Sequence, residues 1–202
     1  MSDRVIHIVD DEAPVRSSLA FLLMSAGFAV RVHESGNAFL EAVSGGAGVC
    51  LVTDLRMPQM NGVELLEALA ARGQTVPAIV ITGHGDVPMA VAAMKAGASD
   101  FIEKPFSDEV LIEAIHRACA AAESKADAGP APAAIRDRVE QLTAREREIM
   151  AGIVAGLPNK TIAYDLQISP RTVEVHRANI MSKMQARSLP ELVRMTLAVE
   201  RA

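Results

Sequence analysis

The sequence predicts an α/β fold, a doubly wound parallel sheet of five strands, followed by a smaller all-α domain. The first observation is an alternation, because apolar runs of strand length take turns with helical patterns five times over the first 121 residues. Such alternation is typical of parallel strands with helices on both faces of the sheet. The second observation is a stretch at 123–137, rich in Gly, Pro and Ala, after which only short helical patterns follow. Because proline does not continue a helix, we expect a linker in this stretch.

Each apolar run has the length of a buried strand and is followed by a helical segment. The predicted strands are VIHIV (5–9), FAVRV (28–32), VCLVT (49–53), AIVIT (78–82) and SDFIE (99–103). The predicted helices cover 13–27, 35–45, 61–73, 86–97 and 107–123. Gly27, Gly73 and Gly97 end three of these segments, where a left-handed residue commonly closes a helix.

The charge is unevenly divided along the chain. Residues 1–123 carry a net charge of −8 and residues 124–202 carry +3, within a total of −5. This asymmetry indicates two domains with different partners. We expect a first domain at 1–122, a linker at 123–137 and a second domain at 138–202. The sequence contains neither a run of 18 apolar residues nor a secretory signal, so we expect a cytoplasmic protein without a membrane partner.

Polar side chains stand where four of the five predicted strands end. They are Asp10 and Asp11 at the first strand, Asp54 at the third, Thr82 at the fourth and Lys104 at the fifth. Because the carboxyl ends of parallel strands meet at one rim of the sheet, we expect these side chains to lie together.

Three carboxylates at one rim repel one another, at roughly 4 kcal/mol for two charges 4 Å apart at an effective dielectric of 20. A divalent cation relieves this repulsion, and Mg²⁺ suits a site with few protein ligands and several waters. An ionised aspartate can then attack phosphorus without a general base. Lys104 and the Thr82 hydroxyl would stabilise the phosphoryl oxygens. The predicted product is an acyl phosphate on Asp54.

The motifs DD (10–11), TDLRMPQMNG, ITGHGD and KPF resemble those of the receiver domain of two-component response regulators, over residues 4–121. The resemblance implies a flavodoxin-like fold, with Asp54 as the phosphoacceptor and a sensor histidine kinase as its phosphoryl donor. It implies that Asp11, Asp54 and the backbone carbonyl of Arg56 bind Mg²⁺ directly, with Asp10 acting largely through water.

The same resemblance implies a cis Lys104–Pro105 bond and a switch formed by Thr82 and Phe101. Taken singly, each of these residues has an ordinary structural explanation, such as a helix cap, a solvated lysine or a core aromatic. An alternative function is an Asp-nucleophile phosphohydrolase. Such an enzyme typically has a second acid two residues after the nucleophile, and Arg56 at that position argues against it.

The C-terminal segment predicts three helices in sequence. Thr143 and Glu146 form a capping box for the first helix, which ends at Gly156. Asn159 is expected to cap a second helix at 160–167. Ser169 is expected to cap a longer helix that runs from Pro170 to about Gln185. Two helices joined by a tight turn, the second basic, are typical of helix-turn-helix DNA binding.

The longer helix has two distinct faces. Val173, Ile180 and Met184 are expected to pack inward. The opposite face carries small and polar residues suited to a major groove: Arg171, Val175, Ala178 and Ser182, flanked by Glu174 and Asn179. A competing interpretation is that the basic residues of this region, Arg171, Arg177, Lys183 and Arg187, form only a solvated face.

The segments LTAREREIM, NKTIAYDLQIS and RTVEVHRANIMSKM resemble the LuxR/NarL-type output domain, over residues 138–200. The resemblance implies base contacts from Glu174, Val175 and Ala178. It also implies phosphate contacts from Lys160, Thr172, His176 and Asn179. Some relatives carry a basic residue where this chain has Glu174. The whole chain resembles response regulators of the FixJ type, which implies a FixL-like, oxygen-sensing kinase as partner.

Together these patterns predict a transcription regulator activated by phosphorylation. A change at Thr82 and Phe101 would alter the 86–103 face and favour a homodimer. The two helix-turn-helix segments of the dimer, at 159–184, would then bind double-stranded promoter DNA. RNA polymerase is expected as a further partner. By resemblance, the controlled genes would be oxygen-responsive ones, for nitrogen fixation or microaerobic growth. A rival is an interaction module whose helical domain binds protein. The sequence leaves open whether the unphosphorylated first domain inhibits the second or only fails to drive dimerisation.

Overall fold

The computed structural model describes residues 5–43, 48–83, 87–123 and 132–200. The chain divides into two compact units, one formed by residues 1–86 with 93–127 and the other by 87–92 with 128–202. No helix in the described ranges is long and apolar enough to cross a membrane.

The first unit contains a parallel sheet whose strand order is β2-β1-β3-β4-β5. The strands are β1 (Val5–Val9), β2 (Ala29–His33), β3 (Val49–Asp54), β4 (Ala78–Thr82) and β5 (Asp100–Glu103). This confirms the predicted five-stranded parallel sheet. Strand β2 begins one residue later than predicted, because the Phe28 amide donates to the Leu23 carbonyl and closes the preceding helix.

Five helices alternate with the strands: α1 (Ala13–Ser25), α2 (Gly36–Ala42), α3 (Gly62–Ala71), α4 (Val87–Lys95) and α5 (Asp108–Glu123). The predicted glycine ends are confirmed, since φ is 87° at Gly27, 68° at Gly73 and 106° at Gly97. Apart from the half-buried Val5, the apolar side chains of β1, β3 and β4 are buried, as expected for central strands of a sheet covered on both faces. The carboxyl ends of these buried strands lie along one edge of the sheet.

The second unit is all-helical. Apart from residues 87–92 of α4, its helices are α6 (Pro132–Glu140), α7 (Ala144–Val154), α8 (Asn159–Asp165), α9 (Pro170–Met184) and α10 (Leu189–Glu200). Ile149, Val173, Ile180 and Met184 are completely buried in its core. The inward face predicted for the longer helix is therefore confirmed.

The predicted linker at 123–137 is shorter in the structure at both ends. Glu123 is the last residue of α5, and Pro132 is the first residue of α6. Proline is compatible with a first helical turn, where its missing amide hydrogen has no partner to lose. Ile135, near the middle of α6, is only 1 % exposed and belongs to the core of the second unit. Residues 124–131 lie outside the described residues.

Candidate functional site

Asp54, the last residue of β3, is held through both carboxylate oxygens. Its Oδ1 accepts from the Lys104 ammonium at 2.6 Å, and its Oδ2 accepts from the Arg56 backbone amide at 2.7 Å. The Asp54 side chain is 13 % exposed and that of Lys104 is 34 % exposed. The structure therefore brings the predicted third and fifth strand ends together, with the carboxylate still reachable from solvent.

Asp10 lies beside this pair and is only 2 % exposed. Its Oδ1 accepts from the Glu12 backbone amide at 2.8 Å, and its Oδ2 is 4.0 Å from the Lys104 ammonium nitrogen. Burial raises the pKa of Asp10, and the nearby charge of Asp54 adds to this, whereas the Glu12 amide and Lys104 oppose it. Oδ2 is buried and has no hydrogen-bond partner within the part of the chain that is described.

Thr82 and Lys104 are joined through the backbone at the ends of β4 and β5. The Thr82 carbonyl accepts from the Lys104 amide at 2.8 Å, and the Lys104–Pro105 bond is cis, as the resemblance implied. The buried Thr82 hydroxyl donates to the Gly83 carbonyl at 3.2 Å. Phe101 on β5 is half-buried and lies in register with Val80. Both predicted switch residues thus lie on neighbouring strands, while residues 84–86 of the ITGHGD motif fall outside the described residues.

Gly62 is a sterically constrained position next to Asp54 that the sequence did not single out. A Cβ atom at Gly62 would lie 2.7 Å from the Asp54 carbonyl oxygen and 3.2 Å from the Leu55 Cα. The Gly62 amide donates to the Leu55 carbonyl at 2.9 Å, so α3 begins directly against the backbone of the acceptor strand. The Asn-Gly pair in the MNG segment was visible in the sequence, but this close approach appears only in three dimensions.

The carboxylates only partly match the predicted cation site. Asp11 is exposed, and the described ranges contain no group of three or more His, Cys, Asp or Glu side chains that could hold a metal. Two features nevertheless fit Mg²⁺: Asp10 Oδ2 has no hydrogen-bond partner among the described residues, and both Asp10 and Asp54 place a carboxylate oxygen within 4.0 Å of the Lys104 ammonium nitrogen. An ion that keeps several waters needs only one or two carboxylates, with a backbone carbonyl such as that of Arg56 as a further oxygen.

Helix α9 presents the predicted nucleic-acid face. Its N-terminus is capped by Ser169, whose hydroxyl oxygen accepts from the Thr172 amide at 3.0 Å, with Pro170 as its first residue. The side chains of the predicted contact set are exposed or half-buried and so are available to a ligand: Lys160 on α8, and Thr172, Glu174, Val175, His176, Ala178 and Asn179 on α9. Nδ1 of His176 is buried and has no hydrogen-bond partner among the described residues.

Asn159 does not cap α8 as predicted, because Pro158 occupies the N-cap position and Asn159 is the first helical residue. The Asn159 Oδ1 instead accepts from the Arg177 guanidinium at 2.9 Å, which connects α8 to α9. A charged donor forms a stronger hydrogen bond with the amide oxygen than a backbone amide does, and this explains the exchange of roles.

Several basic side chains of the second unit form hydrogen bonds with other residues of the same unit. Lys183 donates to the buried Glu146 carboxylate at 2.7 Å, so α9 is paired with α7. Arg138 donates to the Met184 carbonyl at the end of α9, and Arg145 donates to the Leu166 carbonyl at the end of α8. The solvated-face interpretation is therefore wrong for Arg177 and Lys183, whereas Arg171 and Arg187 are exposed.

Comparison with known families matches both units. The response regulator receiver domain matches residues 6–116, and the luxR family of bacterial regulatory proteins matches residues 140–196. The first match covers more than half of the chain and contains every residue of the Asp54 site described above.

Individual relatives agree over nearly the whole length. The chain is 61 % identical to the transcriptional regulatory protein FixJ of Rhizobium meliloti, over 98 % of this chain and 97 % of that protein. It is 53 % identical to FixJ of Azorhizobium caulinodans, over 95 % and 91 % of the two chains. The crystal structure of full-length FixJ from B. japonicum aligns with a TM-score of 0.57 at 47 % identity, covering 100 % of both chains. The chain therefore belongs to the FixJ-like response regulators, in which a receiver domain is followed by a LuxR-family helix-turn-helix domain.

Proposed function

We propose that this protein is a transcription regulator activated by phosphorylation of Asp54 by a sensor histidine kinase. The observation that carries this proposal is the arrangement at the strand ends. The Asp54 carboxylate lies between the Lys104 ammonium and the Arg56 amide, beside the unpartnered Oδ2 of Asp10. This arrangement supplies a carboxylate that can act as the nucleophile, and a lysine that can form a hydrogen bond with the transferred phosphoryl group.

In the proposed transfer, an Asp54 oxygen forms a bond to phosphorus while the bond from phosphorus to the histidine nitrogen of the kinase breaks. The imidazole nitrogen keeps the electron pair. The Lys104 ammonium would then donate to a phosphoryl oxygen in place of the Asp54 oxygen. The Thr82 hydroxyl would leave the Gly83 carbonyl and donate to a second phosphoryl oxygen. Asp10, Asp11, Asp54 and the Arg56 carbonyl would hold Mg²⁺, which when bound offsets negative charge on the phosphoryl oxygens.

The proposed switch follows from these exchanges. Movement of Thr82 and Phe101 would alter the 86–103 face, of which residue 86 lies outside the described residues. A shift from 1:99 to 99:1 needs about 5.5 kcal/mol of differential stabilisation. Two or three hydrogen bonds to charged groups, at about 1.5–3 kcal/mol each, are of that order. Homodimers formed through this face would then bind DNA with higher avidity.

In the second unit we propose that α9 enters the major groove of promoter DNA. Base contacts would come from Glu174, Val175 and Ala178. Lys160, Thr172, His176 and Asn179 would contact phosphates. RNA polymerase is the proposed partner at the promoter. The likeness to FixJ proteins supports a FixL-like kinase and oxygen-responsive target genes as part of this proposal.

The test is to incubate the purified full chain with Mg²⁺ and a small-molecule phosphodonor, then to measure its intact mass and its oligomeric state. We expect one added phosphoryl group and a shift from monomer to dimer. Asp54→Asn should show neither, because an amide is not an anionic nucleophile. A phosphoryl group appearing on Asp54→Asn at the wild-type rate would overturn the assignment. Sustained release of phosphate from unrelated phosphate esters would instead support a phosphohydrolase.

A further inference from the structure

Arg16, on helix α1, bonds directly to the backbone of the candidate site. Its Nη1 donates to the Asp10 carbonyl at 2.7 Å, across six residues of sequence. The Arg16 amide is also bonded to the Glu12 carbonyl, as part of the first turn of the helix. One residue of α1 therefore holds the turn that carries both Asp10 and Asp11.

The polar atoms of Asp10 show what this bond achieves. The Asp10 amide donates to the His33 carbonyl at 3.3 Å, the carbonyl accepts from Arg16, and Oδ1 accepts from the Glu12 amide. These three hydrogen bonds orient Asp10 and leave its Oδ2 buried without a hydrogen-bond partner among the described residues. Loss of the Arg16 bond would release the peptide that joins Asp10 to Asp11, so both carboxylates would lose their orientation together.

We propose that Arg16 is a positioning residue for the site that binds the cation and the phosphoryl group. It acts through its hydrogen bond to the Asp10 carbonyl and contacts neither the cation nor the phosphoryl group. The proposal rests on the function proposed above. Its physical basis is pre-organisation, because a cation held by few protein oxygens gains affinity when those oxygens are already oriented.

The charge of Arg16 alone predicts the opposite change in Mg²⁺ affinity. The direction of the change on replacing Arg16 therefore tests the proposal. A guanidinium near the carboxylates repels an incoming divalent cation, so removing only its charge would tighten Mg²⁺ binding. Removing a positioning bond would weaken Mg²⁺ binding. The two explanations therefore predict changes of opposite direction for the same substitution.

The chain offers a matched control in Arg72, at the C-terminal end of α3. Its Nη1 donates to the Leu40 carbonyl at 2.7 Å, the same kind of bond at the same length as that of Arg16. The Leu40 carbonyl belongs to α2 and not to the strand-end rim. Arg72→Met therefore removes an equivalent arginine–carbonyl bond elsewhere in the same unit.

The experiment measures the Mg²⁺ dissociation constant of the unphosphorylated full chain by isothermal titration calorimetry, with thermal unfolding as a check on folding. We expect Arg16→Met to weaken Mg²⁺ binding about tenfold, as for partners that orient metal ligands. Arg72→Met should stay within about twofold of wild type, a difference too small to indicate a lost orienting bond. Unchanged or tighter binding by Arg16→Met overturns the proposal, and so does an equal loss in both variants.

Arg16→Lys keeps the proposal testable if the methionine variant does not fold. Lysine retains the charge and the stem but provides a point donor on a shorter reach. If both variants fold, we expect the Mg²⁺ affinity of Arg16→Lys to lie between those of wild type and Arg16→Met. If only Arg16→Lys folds, we expect its Mg²⁺ affinity to be lower than that of wild type. Wild-type affinity in Arg16→Lys, together with an unchanged melting temperature, would overturn the proposal. Failure of wild type to accept a phosphoryl group would defeat the proposed function instead, whatever the Mg²⁺ titrations show.

Discussion

The ammonium nitrogen of Lys104 lies 2.6 Å from Oδ1 of Asp54 and 4.0 Å from Oδ2 of Asp10. Lys104 therefore forms a hydrogen bond with Asp54 and lies close to Asp10. The nearby Oδ2 of Asp10 has no hydrogen-bond partner among the described residues. In the unphosphorylated protein this contact offsets the repulsion between the two acids. Phosphorylation would give Lys104 a more highly charged acceptor within reach, so the contact is suited to exchange and not only to stability.

The first prediction concerns Gly62, the first residue of α3. Gly62→Ala should lower the free energy of unfolding by about 1–3 kcal/mol, because the new methyl meets the Asp54 carbonyl oxygen, a backbone atom that cannot move independently. Gly36→Ala is the matched control at the first residue of α2. Its Cβ would meet the Sδ of Met60 at 2.8 Å, an atom of a flexible side chain. Urea unfolding would compare the two, and equal losses would argue against a special constraint at Gly62.

The second prediction concerns the pH dependence of the second unit. The hydrogen bond from Lys183, followed by that from the Thr143 amide, lowers the pKa of Glu146 to about 2, from a usual 4.5. A carboxyl whose pKa is lower in the folded state contributes stability above its unfolded pKa and loses it as pH falls through the folded value. Stability should therefore decline between about pH 5 and pH 2.

Comparison of wild type with Glu146→Gln isolates this contribution. Wild type should be more stable at pH 7 by about 2 kcal/mol, allowing for solvent around the one-third-exposed Lys183. The difference should shrink as the pH is lowered towards 3. Urea unfolding followed by circular dichroism at several pH values measures it. If the free energy of unfolding changes with pH in the same way in both proteins, the pairing of Glu146 with Lys183 is not the cause of the pH dependence.

The third prediction concerns electrostatic contact with DNA. Lys160 is exposed on α8, so Lys160→Ala should weaken binding about equally on all sequences and reduce the salt slope by about 1. Lys183→Ala is the control of equal charge change. Since Lys183 is paired with Glu146, its loss should lower stability and leave the salt slope of the folded protein unchanged. A salt slope that falls only in Lys183→Ala would contradict the assignment of Lys160.

The fourth prediction concerns base recognition by α9. Glu174 is about half-exposed, and its Oε2 lies 3.4 Å from Nη1 of Arg171 on the same helix. Glu174→Ala should relax the preference at one base position, by about 1–3 kcal/mol, with little change at the others. Affinities for a set of single-base operator variants would measure this. An unchanged profile across the whole set would remove Glu174 from the base-reading residues.

The strand-end residues were predictable because topology alone places them. Parallel strands must bring Asp10, Asp54, Thr82 and Lys104 to one rim, whatever the details of packing. The capping residues Thr143 and Ser169 were also predictable, since a cap depends on a few adjacent residues.

The remaining features depend on partners distant in sequence. Asn159 lost its predicted capping role to a contact with Arg177, 18 residues away. The start of α6 at Pro132 follows from the burial of Ile135 against other helices, whereas composition alone indicated a linker. The bond from Arg16 to the Asp10 carbonyl gives no sequence signal, because any arginine on an exposed helical turn has the same appearance.

We propose that phosphorylation of Asp54 controls DNA binding by α9. The most direct measurement is the affinity of the full chain for DNA selected from a random pool, with and without Mg²⁺ and a small phosphodonor, at fixed salt and protein concentration. We predict that wild type binds at least about tenfold more tightly after treatment, a gain of about 1.4 kcal/mol, and that Asp54→Asn does not respond. Equal affinity before and after treatment, in wild-type protein whose mass shows full phosphorylation, would show that phosphorylation of Asp54 does not control DNA binding.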